Sequence, residues 1–169
     1  TILYSIVMTI FLVTLLFAMH KTMEWAITSE QARELLDTAG NVAEAQAYFN
    51  QHPGLTLEDA GYKSTNDRLF FYVFNQDGRL SNFARASFHI EPFILDVVSN
   101  WQAQEGEVSV FGRKNEREQM TRIMMTAKTV VNDDGSVQTV YVGKDVTAMY
   151  NGLQKSTYAM VVLGIVALL

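Results

Sequence analysis

Charge is segregated along this chain. Residues 1–19 contain no Asp, Glu, Lys or Arg, and neither do residues 156–169; the charge lies between them. Thr1–Met19 is close to the roughly 20 apolar residues that cross a bilayer as a helix. A signal peptide is the competing reading, but its apolar core usually spans about 7–15 residues and ends at a small-residue cleavage site. Here the run is longer and continues into Met19-His-Lys-Thr-Met-Glu-Trp25 without such a site, so a membrane span is expected. Tyr158–Leu169 is also apolar, is too short to span alone, and stops without a polar exit. The expectation is a second span cut short, in a chain that forms the middle of a longer protein.

Two spans confine the residues between them to one side of a membrane. That loop is far longer than the roughly 60 residues over which Lys/Arg bias reports orientation, so charge counting leaves the side open. The 169 residues include 13 basic and 18 acidic ones, a net charge of −5. That balance argues against nucleic-acid binding, for which a basic face is the rule. The chain has no cysteine, which excludes a disulfide framework and a thiolate metal site.

Helical character continues past Met19. His20–Ala39 lacks Pro and Gly, and Ala32, Leu35, Leu36 and Ala39 recur at helical spacing. Met19, Met23, Ala26 and Ile27 make a similar stripe, and Trp25 suits the headgroup level. Gly40 is read as a C-cap, with Asn41 starting a short helix that carries Val42, Ala45 and Phe49 and ends at His52-Pro-Gly54. Leu55–Asp67 reads as a connecting loop. Arg68–Phe74, apolar on both faces, predicts a central strand, and the turn Asn75-Gln-Asp-Gly78 returns it along Arg79–Phe83. Glu91–Gln104 predicts an amphipathic helix, with Pro92 in its first turn and a stripe of Phe93, Ile94, Val97, Val98 and Trp101; Gly106 follows its end. Glu107–Arg113 is a strand and Lys114–Arg117 a charged turn. Glu118–Val131 is a long strand with Ile123, Met125, Ala127 and Val131 on one face and Arg122, Thr126 and Lys128 on the other. Asn132-Asp-Asp-Gly135 is a hairpin turn, and Val137–Val146 is the last strand. An antiparallel sheet of about five strands with helices on its faces makes an α+β domain.

Two segments carry a family resemblance. Phe71-Tyr-Val-Phe-Asn-Gln-Asp-Gly-Arg-Leu80 resembles the opening hairpin of PAS-like sensor domains. Val140-Tyr-Val-Gly-Lys-Asp-Val-Thr147 resembles their closing strand, which often ends in a Gly-x-Asp-Ile/Val-Thr pattern before a signalling helix. Strand order over about Gly61–Thr147 and the flanking apolar runs resemble the layout of bacterial membrane sensor histidine kinases. The resemblance implies a PAS-like sheet with the closing strand in the middle beside the opening one, a long N-terminal helix and two flanking transmembrane helices. It divides the chain into a first transmembrane helix at 1–19, membrane-proximal helices at 20–60, a PAS-like sensor domain at 61–147, and an exit helix entering the second span at 148–169. It further implies a homodimer in the cell membrane with the central domain extracytoplasmic. A small-molecule or protein signal would pass to a cytoplasmic output, with no cofactor. A chemotaxis transducer or a diguanylate cyclase is the alternative output. A membrane-tethered enzyme or a structural interaction module is the alternative of another class.

No catalytic motif is found: no Gly-rich phosphate loop, no His-Glu-x-x-His and no nucleophile elbow. His20, His52 and His89 are isolated. His89-Ile-Glu91 offers two ligands at a weak spacing, and no metal site is assigned. Asp77, Asp133 and Asp134 are turn formers first. The resemblance places a ligand pocket between the sheet and Glu91–Gln104, with Tyr72, Phe88, His89, Trp101, Arg122 and Tyr141 as candidate contacts. An arginine in a partly closed pocket favours a carboxylate or phosphate, although a solvated charge is the plainer role of Arg122 and core packing that of Trp101. Asp145 and Thr147 are candidate relay residues, because a short side-chain oxygen at a strand–helix junction caps orphan N–H groups and fixes how the helix leaves. Met149, Leu153, Ser156, Met160, Leu163 and Ala167 recur at spacings of 4, 3, 4, 3 and 4, a heptad seam.

Overall fold

The computed structural model describes residues 1–52 and 69–168. The expected loop Leu55–Asp67, the Pro53-Gly54 helix stop, the domain start at Gly61 and the strand's first residue Arg68 lie outside the described residues. Two compact units are present, Thr1–Gln31 with Ala148–Leu169, and Ala32–Thr147.

One unbroken helix, α1 (Ile2–Gln51), replaces the two that Gly40 is expected to separate. A glycine in a helix interior costs only about 1 kcal/mol relative to alanine. Leu35, Ala39, Val42, Ala43 and Gln46 form a buried stripe on either side of Gly40, so ending the helix there would give up more than it saves. Among the described residues, α1 is the one helix long and apolar enough to cross a membrane, and none of its apolar stretch is buried within the protein.

In the first unit, the beginning of α1 lies beside α3 (Thr147–Leu168). Thr157 Oγ1 sits 2.8 Å from His20 Nε2 and donates to the Leu153 carbonyl at 2.9 Å. Leu16 packs at Gly164, where an added Cβ would lie 3.9 Å from Leu16 Cδ1. The heptad seam holds as far as Met160 and then drifts. Leu153 is buried, Ser156 and Met160 are half-buried, but Leu163 is 68% exposed and Gly164 takes the packed position. A straight helix of 3.6 residues per turn drifts about 20° per heptad from a 3.5-residue repeat. The side chain of Ala167 lies outside the description.

The second unit is α+β. Among the described residues, β1 (Leu69–Asn75), β2 (Leu80–Ala84), β3 (Val108–Lys114), β4 (Met120–Val131) and β5 (Val137–Asp145) form one antiparallel sheet in the order β2-β1-β5-β4-β3. The last strand is therefore central and pairs with the first.

Three hairpins in this sheet close alike. In each, an Asn N–H donates to the carbonyl four residues on, and the residue three on donates back to the Asn carbonyl. The pairs are Asn75 with Arg79 and Gly78, Asn115 with Gln119 and Glu118, and Asn132 with Ser136 and Gly135. The returning residue has positive φ in all three: Gly78 at 82°, Glu118 at 59° and Gly135 at 84°. This corrects the expected start of the fourth strand. Glu118 belongs to the turn, and Asn115 Oδ1 holds the turn through the Arg117 and Gln119 N–H groups at 2.9 Å each.

Each sheet face has its own helical cover. On one face Phe70, Tyr72, Ile123 and Met125 pack with Phe93, Ile94 and Val97 of α2 (Glu91–Asn100). The opposite face buries Phe71, Val73, Met124, Thr126, Val140 and Val142. There α1 is tied on by amides: Asn50 Nδ2 donates to Gln138 Oε1 at 2.7 Å and to Asn132 Oδ1 at 2.7 Å. α2 is shorter than expected. Trp101 leaves it in an extended conformation (φ −88°, ψ 124°), its N–H still donating to Val97 O at 2.8 Å. The exit lets the indole pack edge-on against Phe111 at 5.2 Å between centroids.

Candidate functional site

The predicted ligand contacts fall into three places. Tyr72 and Tyr141 are cross-strand partners on the α2 side of the sheet, and Trp101 comes to 6.3 Å from Tyr141 between ring centroids. Phe74 completes this aromatic cluster at 5.9 Å from Tyr141. Phe88 and His89 lie in the segment before α2, their rings 3.8 Å apart, with Phe88 76% exposed. Arg122 lies on neither site: strand alternation puts it on the face away from α2, opposite Ile123, beside Gly112.

Burial decides what these groups can do. Tyr72 is fully buried, and its hydroxyl accepts the Ala86 N–H at 3.2 Å. Burial raises its pKa above the ordinary tyrosine value, as it does for Tyr141. Tyr72 thus holds the segment that leads into α2 rather than facing an opening. Between α2 and the middle of the sheet the space is occupied by Phe70, Ile94, Ile123 and Met125.

Openings lie instead at the two ends of α2. A cleft of about 230 Å³ at its start is lined by His89, Phe93, Arg113, Lys114, Asn115 and Thr121, among others. A second, of about 460 Å³, lies at its end beside Trp101, Asn100, Asp96 and Phe111. Arg113 and Lys114 are absent from the sequence-based candidates. Their only signal is a pair of cations at a strand end, and nothing in the sequence says that this strand end lies beside the start of α2.

The relay candidates form a joint. Asp145 ends β5 and Thr147 begins α3, with the buried Val146 between them. Asp145 Oδ1 accepts the Thr147 N–H at 2.9 Å, the capping interaction expected of a short acid at a helix start. Thr147 Oγ1 accepts the Arg122 N–H at 3.0 Å, and the Val146 N–H donates to Arg122 O at 2.9 Å. The start of α3 is therefore fastened to β4 as well as continuous with β5.

A polar network on the α1 face is the largest feature that the sequence reading misses. Gln46 and Gln138 are 4% and 8% exposed. Gln138 Oε1 accepts from Asn50, and its Nε2 donates to Asn75 Oδ1 at 2.8 Å. Gln46 Nε2 donates to Asn50 Oδ1 at 3.0 Å. The available signal is an amide at an apolar phase: Gln46 follows Val42 by one helical turn, and Gln138 alternates with Val140 and Val142.

The turn acids act on their own hairpins. Asp77 Oδ1 accepts the Arg79 N–H at 3.1 Å. Asp134 Oδ1 accepts the Ser136 hydroxyl at 2.6 Å and its N–H at 2.9 Å, and these bonds lower its pKa below the usual carboxylate value. Among the described residues, no three His, Cys, Asp or Glu side chains converge to hold a metal ion. In comparison with known proteins, no family model matches the chain and no curated protein matches its sequence.

Proposed function

We propose that this chain is the extracytoplasmic signal-sensing region of a membrane receptor of the two-component sensor histidine kinase type, built on a PAS-like domain between two transmembrane helices. The observation that carries this reading is the joint at the end of β5. The central strand of the sheet passes into an apolar helix after a single intervening residue, and side-chain hydrogen bonds fasten the helix start to β4. A displacement of β5 against β4 would have to be absorbed at the base of α3.

The strand order supports the PAS-like part, since the closing strand lies in the middle beside the opening one. The apolar exposed start of α1 supports a membrane anchor. α3 supplies the second span in this reading, its apolar part beginning at Tyr158. Signal binding would act by stabilising one arrangement of α1 and α3 over another, and can shift that equilibrium only by its differential affinity for the two.

Cysteine accessibility tests the placement cleanly, because the chain has no cysteine of its own. In intact cells, Asp133→Cys in the exposed β4–β5 turn should react with a membrane-impermeant maleimide, and Val162→Cys in α3 should be protected. Labelling of Asp133→Cys only after permeabilisation would sink the extracytoplasmic assignment.

A further inference from the structure

We propose that the cleft at the end of α2 binds a small quaternary ammonium ion, held against the rings of Trp101 and Phe111 with Asp96 as its counter-charge. The cleft, of about 460 Å³, is lined by Asp96, Val97, Asn100, Trp101, Gln102 and Phe111. Asp96 is the one charged residue in that lining, and it is exposed. No described Lys, Arg or His pairs with it; its described carboxylate partner is the Asn100 amide at 3.3 Å. Trp101 and Phe111 are half-buried, so each ring keeps part of its surface open. Tyr141 stands behind Trp101, 6.3 Å away between centroids. Arg113, on the same face of β3 as Phe111, is placed 5.9 Å from the Phe93 ring and lines the other cleft.

Three kinds of negative potential meet in this cleft. Aromatic faces attract a cation through the ring quadrupole. A carboxylate adds a full charge. The C-terminal end of a helix carries partial negative charge, and α2 has no basic residue in its last turn to offset it. The form of the cation follows from the partners. A primary ammonium carries three N–H donors and is strongly hydrated, so it needs several acceptors in exchange for its water. A quaternary ammonium has no N–H to satisfy, and aromatic rings with one carboxylate suffice for it.

This site would name the signal class for the sensory reading and rests on that reading for its consequence, but not for its detection. The whole chain is studied in maltoside micelles, which carry no quaternary ammonium. Trp25→Phe leaves Trp101 as the sole tryptophan, so its emission reports on the cleft. Choline should change that emission saturably. Its neutral isostere 3,3-dimethylbutan-1-ol should bind at least tenfold more weakly, because it keeps the shape without the charge. Asp96→Asn, a change at an exposed position, should weaken choline about fivefold or more, and Asp133→Asn in the β4–β5 turn should leave it unaltered. Glycerophosphocholine separates the two sources of this group: weaker binding than choline assigns the site to a free cation, tighter binding to a lipid headgroup, and either supports the quaternary ammonium site. Absence of a saturable choline response, equal binding of the isostere, or equal weakening by Asp133→Asn overturns it. Because no output is measured, either result leaves the sensory reading to its own accessibility test.

Discussion

Thr147 bonds both backbone groups of Arg122. Its hydroxyl accepts the Arg122 N–H at 3.0 Å and donates to the Arg122 carbonyl at 3.3 Å. One side chain thereby clips the first turn of α3 to the start of β4. Thr147→Val keeps the shape and removes the hydroxyl, and with it both bonds to the Arg122 backbone. The expected loss is about 1–2 kcal/mol, the range for losing a helix cap or an N–H partner, measured by chemical denaturation. Thr147→Ser should recover most of it. In the sensory reading the valine variant also shifts basal output, whereas Thr157→Val, outside the joint, serves as its comparison.

Gly143 occupies a position on β5 where the packing leaves no room for a side chain. It lies between Phe70 and Met125 on the α2 side, and an added Cβ would overlap the Phe70 ring and come within 2.9 Å of Met125 Cγ. Gly143→Ala should cost about 1–3 kcal/mol, the range for overpacking a filled core. Phe70→Leu makes room for the methyl, so the double variant should lose less than the sum of the two single ones, a coupling that a double-mutant cycle reads directly. Strict additivity would mean that the Phe70 ring is not what excludes the side chain.

The legible parts of the fold are those fixed by local chemistry. Asn-Gln-Asp-Gly and Asn-Asp-Asp-Gly announce their turns, and period-two alternation separates Ile123 from Arg122 correctly. What alternation cannot say is which face a helix covers, and Arg122 as a contact in a pocket beneath α2 fails on that point alone. Local cues mislead where packing outweighs them. Gly40 looks like a helix end until the buried stripe around it is known. Trp101 fits the α2 stripe by spacing, yet its ring finds Phe111 and Tyr141 only by leaving the helix. The Gln46–Asn50–Gln138 network and the Arg113–Lys114 cleft join residues far apart in the chain, so they exist only once the sheet is assembled.

Glu118 occupies the position that glycine fills in the other two hairpins, with φ at 59°. A left-handed conformation costs a non-glycine residue roughly 1–2 kcal/mol, while glycine gives back part of that gain through the greater freedom of its unfolded chain. Glu118→Gly should therefore raise stability by about 0.5–1 kcal/mol in denaturant unfolding. Glu118→Val, β-branched at the same φ, should lower it. A destabilising glycine variant would show that the Glu118 side chain contributes more than its backbone strain costs.

Tyr72 and Tyr141 predict a loss of stability in alkali. Burial raises both pKa values above 10.0, so the folded state holds protons that the unfolded chain releases. The number bound is then greater in the folded state, and stability falls with rising pH. Their contribution is complete below pH 10 and is lost as pH climbs through the raised values. Tyr72→Phe and Tyr141→Phe should each flatten that decline in unfolding curves taken from pH 9 upward. The Tyr72 variant should also lose stability at neutral pH, because the Ala86 N–H is left without its acceptor.

The joint matters only if α3 leaves it as a rigid body. Gly152 is on an exposed part of α3 with open space around its Cα, so an insertion there meets no steric obstacle. One added residue turns everything after it by about 100° and advances it by about 1.5 Å, while Ala32–Thr147 stays as it was. A glycine inserted after Gly152 should leave that unit's unfolding transition unchanged and abolish the dependence of output on stimulus in the receptor that carries this chain. A proline there removes a helix hydrogen bond as well and should act more strongly. Normal stimulus dependence in both variants would mean that α3 does not carry the signal as a rod.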